Sequence, residues 1–303
     1  MTIADLRSIR YGRVPTLAAL AEAVHEMVAG GRTPVLLAGG TDWLVEQELR
    51  APLASLSEDD VPFVIDISTM AELKEISVRG SVLRIGAAAT YLEIRRHPVV
   101  LEKAPMLDAM ARDVGAIQIQ ARGTLGGNLA TASPAADGVA ALAAYDAVIV
   151  VRSVRGERRI PFTELQTGYK ASSRAPDEIV VAVELPLDPN AVAYWRKVGT
   201  RRAQAISKVA LAGLAVVEGG QITRCGLGMA SVAPVTALLP RTRELFLSTR
   251  LASLDDAAID KAVEADIAPI DDVRSTRGYR LHVAKVLVRE FAQTVARLAK
   301  EKK

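Results

Sequence analysis

Between residues 16 and 31 the apolar positions Leu17, Leu20, Val24, Met27 and Val28 share one face of a helix. Thr16 stands where an N-cap is needed and Gly30-Gly31 ends the run. A short apolar strand at 33–37 then leads straight into Ala38-Gly39-Gly40-Thr41-Asp42, after which a second helix is predicted. This is a β-α-β pattern. Further strands are predicted at 61–67, 73–78 and 82–85, the last two a hairpin around Arg79-Gly80-Ser81. Thr90 and Glu93 fit a capping box that opens a helix, and another helix covers 105–114. The segments 148–151 and 158–161 read as a hairpin and 179–185 as a strand. Residues 209–217 and 221–229 flank Gly219-Gly220, an antiparallel hairpin signal. The last long pattern, 276–300, places Tyr279, Val283, Val286, Leu287, Phe291, Val295 and Leu298 at helical spacing.

The order of elements predicts an α+β chain of three lobes. These are a small N-terminal β-α-β lobe over 1–57, a larger mixed lobe over 58–188, and a C-terminal domain of antiparallel sheet and helices over 189–303. Residues 51–60 have the composition of a loop between the first two. The chain of 303 residues is 50% apolar, enough for a sizeable core. No apolar run reaches the ~18 residues a membrane helix needs. The longest, 139–151, is broken by Asp146, and the N-terminal MTIADLRSIR lacks the apolar stretch of a signal peptide. A cytoplasmic protein without a membrane span is expected. The net charge of +3 is spread along the chain, which argues against nucleic acid as a partner. Cys225 is the single cysteine, so an internal disulfide, a zinc cluster or an iron–sulfur cluster on this chain is excluded. His25, His97 and His282 share no metal-ligand spacing. No metal ligands and no catalytic constellation are assigned.

Two glycine-rich segments carry the chemistry. In Leu36-Leu37-Ala38-Gly39-Gly40-Thr41-Asp42-Trp43 a strand delivers the chain to two glycines at a helix start. There, backbone amides and partial positive charge suit a pyrophosphate. The segment is neither a Walker A motif nor a Gly-x-Gly-x-x-Gly fingerprint. In the second, Gly123, Gly126 and Gly127 lie within five residues, beside Thr124, Leu125, Asn128, Thr131 and Ser133. Ser133-Pro134 reads as a helix N-cap followed by proline at the first helical position, with Asp137 in the first turn. Taken singly, each segment also fits an ordinary turn into a capped helix. Two in one chain point to a shared extended ligand with a diphosphate at its centre.

These residues resemble the FAD-binding subunit of the xanthine dehydrogenase and molybdenum hydroxylase family. The resemblance covers nearly the whole chain in the same order. Leu36-Leu37-Ala38-Gly39-Gly40-Thr41-Asp42 matches the family's early pattern. Gly126-Gly127-Asn128, with Pro134 and Asp137 following, matches its Gly-Gly-Asn, proline and aspartate pattern. Thr167-Gly168-Tyr169, then Tyr194, Lys197, Gly199 and Arg201, and finally Arg274-Ser275-Thr276 with Tyr279-Arg280, extend the likeness. It implies that 36–43 and Thr124, Leu125, Gly126, Gly127 and Asn128 hold the FAD diphosphate and ribitol. It also implies that Ser133 belongs to the site and that Thr90 touches the cofactor. Asp137 either hydrogen-bonds the adenosine part or closes the second loop. Lys197 and Tyr169 lie near the isoalloxazine ring.

The resemblance further implies a large molybdopterin-binding subunit and a small [2Fe–2S] subunit as partners, in a dimer of heterotrimers. Electrons would pass through FAD to NAD or another acceptor. With only Cys225, the chain cannot carry the extra iron–sulfur cluster of the 4-hydroxybenzoyl-CoA reductase branch. The carbon monoxide dehydrogenase branch usually has His-Ser at Thr41-Asp42 and Asp at Asn128, so the chain leans toward the purine, aldehyde and N-heterocycle hydroxylases. A stand-alone FAD-dependent oxidase of the same two-lobed fold, or a non-enzymatic nucleotide-binding module, are the alternative readings.

Overall fold

The computed structural model describes residues 9–49 and 62–301. The loop expected at 51–60 lies outside them. Three short parallel strands, β1 (Arg10–Gly12), β2 (Val35–Leu37) and β3 (Phe63–Asp66), pair in the order β1-β3-β2. Helix α1 (Leu17–Ala29) is capped by Thr16, whose hydroxyl accepts the Ala19 amide at 3.2 Å. Its buried Leu17, Leu20, Val24 and Met27 pack with Ile65 against Val150, Ile179 and Val181 of the neighbouring lobe. Helix α2 (Trp43–Leu49) follows β2 after a five-residue turn.

The second lobe is a five-stranded antiparallel sheet in the order β4-β5-β10-β6-β7. Its strands are β4 (Ile76–Arg79), β5 (Val82–Gly86), β6 (Val148–Ser153), β7 (Gly156–Pro161) and β10 (Ile179–Pro186). Between β5 and β6 the chain runs through six helices: α3 (Tyr91–Arg96), α4 (Pro98–Lys103), α5 (Pro105–Arg112), α6 (Ile117–Gln120), α7 (Leu125–Thr131) and α8 (Asp137–Ala144). Short α9 (Phe162–Leu165) leads to the small hairpin of β8 (Gln166–Gly168) and β9 (Ala171–Ser172).

Every residue of α8 is buried. This explains the unbroken apolar run at 139–144: a helix covered on all sides needs no polar face. Its far side lies against the C-terminal sheet of β11 (Val192–Val198), β12 (Val209–Glu218) and β13 (Gln221–Ala230), in the order β11-β12-β13. The approach is close because β13 presents glycines. A Cβ on Gly226 would lie 1.9 Å from the Ala144 carbonyl oxygen, and one on Gly228 would lie 2.1 Å from that of Ala140. Helices α10 (Pro240–Ser248), α11 (Asp256–Asp266) and α12 (Arg277–Glu301) close this domain. Phe291 of α12 packs onto Gly213 of β12, and the buried Cys225 belongs to the same core.

The α+β class, the hairpins and the closing helix are as the sequence predicts. Two local expectations need correction. Residues 125–131, read as part of a glycine loop, form α7, with Thr124 as N-cap accepting the Gly127 amide at 3.0 Å. Ser133 does not cap a helix, because the chain turns at Ala132 (φ 49°) and α8 begins at Asp137 after Ala136. Its hydroxyl instead accepts the amide of Ala135 at 3.3 Å within the turn. Among the described residues, no helix is long and apolar enough to cross a membrane.

Candidate functional site

The turn after β2 and the start of α7 meet in the crevice between the first two lobes. The contact is backbone on backbone: a Cβ on Gly39 would lie 2.2 Å from the Arg122 carbonyl oxygen. Gly40 sits at φ +73°, the left-handed region where glycine is unstrained. Thr131 joins the segments from the other side, its hydroxyl donating to the Asp42 carboxylate at 3.1 Å. Thr90 caps α3 with a complete capping box and forms an isolated bridge with Thr124.

The two segments use their amides differently. Among the described residues, the amides of Gly39, Gly40, Thr41 and Asp42 find no acceptor in the chain. Those of Leu125, Gly126 and Gly127 are all taken, by the carbonyls of Ala89 (3.2 Å) and Ala87 (3.0 Å) and the hydroxyl of Thr124 (3.0 Å). A Cβ on Gly126 would lie 2.5 Å from both Cβ and carbonyl oxygen of Ala87. This glycine is required by packing.

Clefts flank the contact. One, of about 570 Å³, has apolar walls that include Leu36, Ile67, Ile179 and Val180, with Ala38, Gly126 and Gly127 along one edge. The other, of about 730 Å³, is lined by Ala38, Thr90, Arg122 and Thr124 together with Lys74 and Arg96.

Beyond α7 the side chains become polar and buried. Asp137 pairs with the Lys197 ammonium from β11, and its other oxygen accepts the Ser207 hydroxyl. Lys197 also donates to the Asp113 carbonyl at 2.8 Å. Burial pushes the Asp137 carboxyl above its ordinary range, while Lys197 and Ser207 pull it down. Beside this pair, the Asn128 Oδ1 and Tyr91 hydroxyl oxygens are buried without a partner among the described residues, both close to Gly138. Burial, then the charges of Asp137 and Asp42, drive the Tyr91 pKa well up, so this phenol stays protonated. Orphaned buried polar atoms are costly. Here they lie beside Gly138, next to Asp137, where a ligand that carries hydroxyl groups would answer them.

Thus Leu36 and Leu37 end β2, residues 38–42 form the open turn, and Trp43 begins α2. Thr90 and Thr124 share one cleft with Ala38, and Gly126 and Gly127 share the other, while Leu125 bonds to Ala89, Asn128 faces Gly138 and Asp137 meets Lys197. Tyr169 stands apart in the β8–β9 turn, 65% exposed and without a hydrogen bond to any of these residues. Sequence reasoning missed Tyr91 and Ser207. A buried tyrosine on a helix face looks like core, and Ser207 is linked to Asp137 across 70 positions.

Comparison with known proteins identifies the family. The family described as the FAD binding domain in molybdopterin dehydrogenase matches residues 7–188. The CO dehydrogenase flavoprotein C-terminal domain matches 194–295. The nicotinate dehydrogenase FAD-subunit of Eubacterium barkeri is 34% identical over 76% of this chain and 80% of its own length. A putative xanthine dehydrogenase FAD-binding subunit of Escherichia coli is 29% identical over 90% of this chain and 92% of its own. In fold, the chain is similar to one in the carbon monoxide dehydrogenase of Hydrogenophaga pseudoflava, with a TM-score of 0.83 at 22% identity, over 93% of this chain and 95% of that one. The chain belongs to the FAD-binding subunits of the molybdenum hydroxylase family of oxidoreductases.

Proposed function

We propose that this chain is the flavin station of a multi-subunit molybdenum hydroxylase. FAD held here supplies the redox centre between [2Fe–2S] clusters on a small partner subunit and NAD or another acceptor. Molybdopterin sits on a large partner subunit, and the assembly is a dimer of heterotrimers. The observation that carries the reading is the row of four amides, Gly39 to Asp42, without acceptors among the described residues, in a turn whose Gly39 lies on the Arg122–Gly123 backbone just before α7.

Residues 38–42 would hold the diphosphate through these amides, helped by the positive end of α2. Leu36 and the apolar cleft beside it suit the adenine. Thr90, Thr124 and Asn128 line the crossing, and the buried oxygens of Asn128 and Tyr91 would find partners in the ribitol hydroxyls. Lys197 and Asp137 form the charged end, where the Lys197 ammonium would favour added electron density on the ring. Ser133, in the turn that leads into Asp137, and the exposed Tyr169 of the β8–β9 turn would complete the site, Tyr169 on the ring side. The protein thus binds, orients and tunes, and the cofactor carries the redox chemistry.

Titration of the purified chain with FAD tests this directly. Stoichiometric uptake, seen as quenched flavin fluorescence and shifted visible bands, is expected. A colourless protein that takes up no FAD, alone or with its partner subunits, would overturn the reading.

A further inference from the structure

The Tyr279-Arg280 motif at the start of α12 is not used by the cofactor site as described, yet Arg280 is the largest fully buried side chain among the described residues, at 1% exposure. A buried guanidinium needs acceptors; both Nη atoms of Arg280 have them, while its Nε finds none among the described residues. Arg280 Nη2 donates to Asp272 at 2.7 Å. Arg280 Nη1 donates to the carbonyls of Ser231 (2.7 Å) and Lys208 (3.1 Å). Asp272 is itself held by the Arg274 side chain and by the amides of Arg274 and Ser275.

Those two carbonyls belong to the segments that reach Asp137. Ser207, next to Lys208, donates its hydroxyl to the Asp137 carboxylate. Ser231 donates its hydroxyl to the Ser207 carbonyl at 2.9 Å, and its amide to the Pro134 carbonyl at 2.8 Å, in the turn that leads into Asp137. Ser231 also sits at φ +67°, a left-handed conformation that a non-glycine residue keeps only when its surroundings hold it. One guanidinium therefore ties the start of β12, the end of β13 and the approach to α8 together.

We infer that Arg280 is a positioning residue for the Lys197–Asp137 pair, acting through Ser231 and Ser207, and so for the end of the cofactor site that Lys197 occupies. The inference rests on the proposed reading that this pair faces FAD. It assigns a role to the motif that opens α12: the C-terminal domain presents Lys197 on β11 and also locks the carboxylate that receives it.

The test uses the full-length chain and two readouts, the carbon-13 titration of the Asp137 carboxyl in the apo protein and FAD affinity against pH. The groups facing Asp137 are Lys197 from β11, Asp113 after α5, Tyr91 on α3 and Ser207 before β12. Ser207→Ala removes a hydrogen bond to the ionised form, so the carboxyl midpoint rises by roughly one pH unit and FAD binds about tenfold more weakly. Ser207→Thr keeps the hydroxyl and restores both. Arg280→Lys touches neither Asp137 nor Lys197, yet is expected to move the midpoint in the same direction by a smaller amount. Phe246→Leu, in the same C-terminal core, serves as a control that lowers the melting temperature without moving the midpoint. An Arg280→Lys protein that melts early but keeps the wild-type midpoint and affinity would overturn the inference. If Arg280→Lys does not fold, Ser231→Ala cuts the same chain one link later and is judged by the same outcomes. Failure of the wild-type chain to bind FAD would sink the functional reading, while the carboxyl titration would still decide the positioning role.

Discussion

Residues 38–42 leave β2 with four consecutive amides that meet no acceptor among the described residues, whereas 125–127 spend theirs on Ala89, Ala87 and Thr124. Both segments are rich in glycine, for different reasons. In the first turn, Gly40 supplies a positive φ and Gly39 lets one backbone lie on another, and the four amides stay without an acceptor among the described residues. In the second, Gly126 sits inside a helix, where glycine costs about 1 kcal/mol relative to alanine. It is kept because any side chain would strike Ala87. Glycine content therefore does not measure anion-binding capacity. The count that matters is of amides with nothing to bond to.

Substitutions can sharpen this contrast, and the largest effect is expected at Gly39. Gly39→Ala forces the turn away from Arg122 and misaligns all four open amides, so FAD affinity should fall by on the order of a hundredfold, about 2.7 kcal/mol. Equilibrium titration reads this, and an affinity within threefold of wild type would break the comparison. Gly126→Ala should act on the fold instead. Overpacking against Ala87 costs about 1–3 kcal/mol in the apo chain. Melting curves with and without saturating FAD should drop in parallel, because the ligand's own contribution is kept. Thr124→Ala removes the cap of α7 and should cost the apo chain about 1 kcal/mol by urea denaturation. Thr131→Val is the mildest. It deletes the hydroxyl bridge to Asp42 and should weaken FAD binding only a few-fold, since one partly exposed hydrogen bond is worth about 0.5–1.5 kcal/mol.

Much of the architecture was legible because periodicity and turn chemistry agree. Thr16 caps α1 and Thr90 opens α3 with Glu93 as the pattern predicts. Gly80, Gly219 and Gly220 turn their hairpins at positive φ. Helix α7 was hidden because Leu125-Gly126-Gly127 carries the local signature of a loop, and its helical state is imposed by Ala87 and by the Thr124 cap. Ser133 misled for the converse reason. Ser-Pro is a good helix start, but the left-handed Ala132 spends the next residues on a turn. The site is harder to read than the fold, since its pairings are remote. Lys197 meets Asp137 across 60 positions, and Arg280 reaches Lys208 across 72. No spacing rule on one strand or helix spans such distances, and only the resemblance drew Asp137 and Lys197 into a common site.

Amide hydrogen exchange, measured residue by residue with and without FAD, tests the central claim most directly. Amides 39–42 should exchange fast in the apo chain and become strongly protected on binding, while those of Leu125, Gly126 and Gly127 should be protected to the same degree in both states. Unchanged exchange at 39–42 in a chain saturated with FAD would contradict the account.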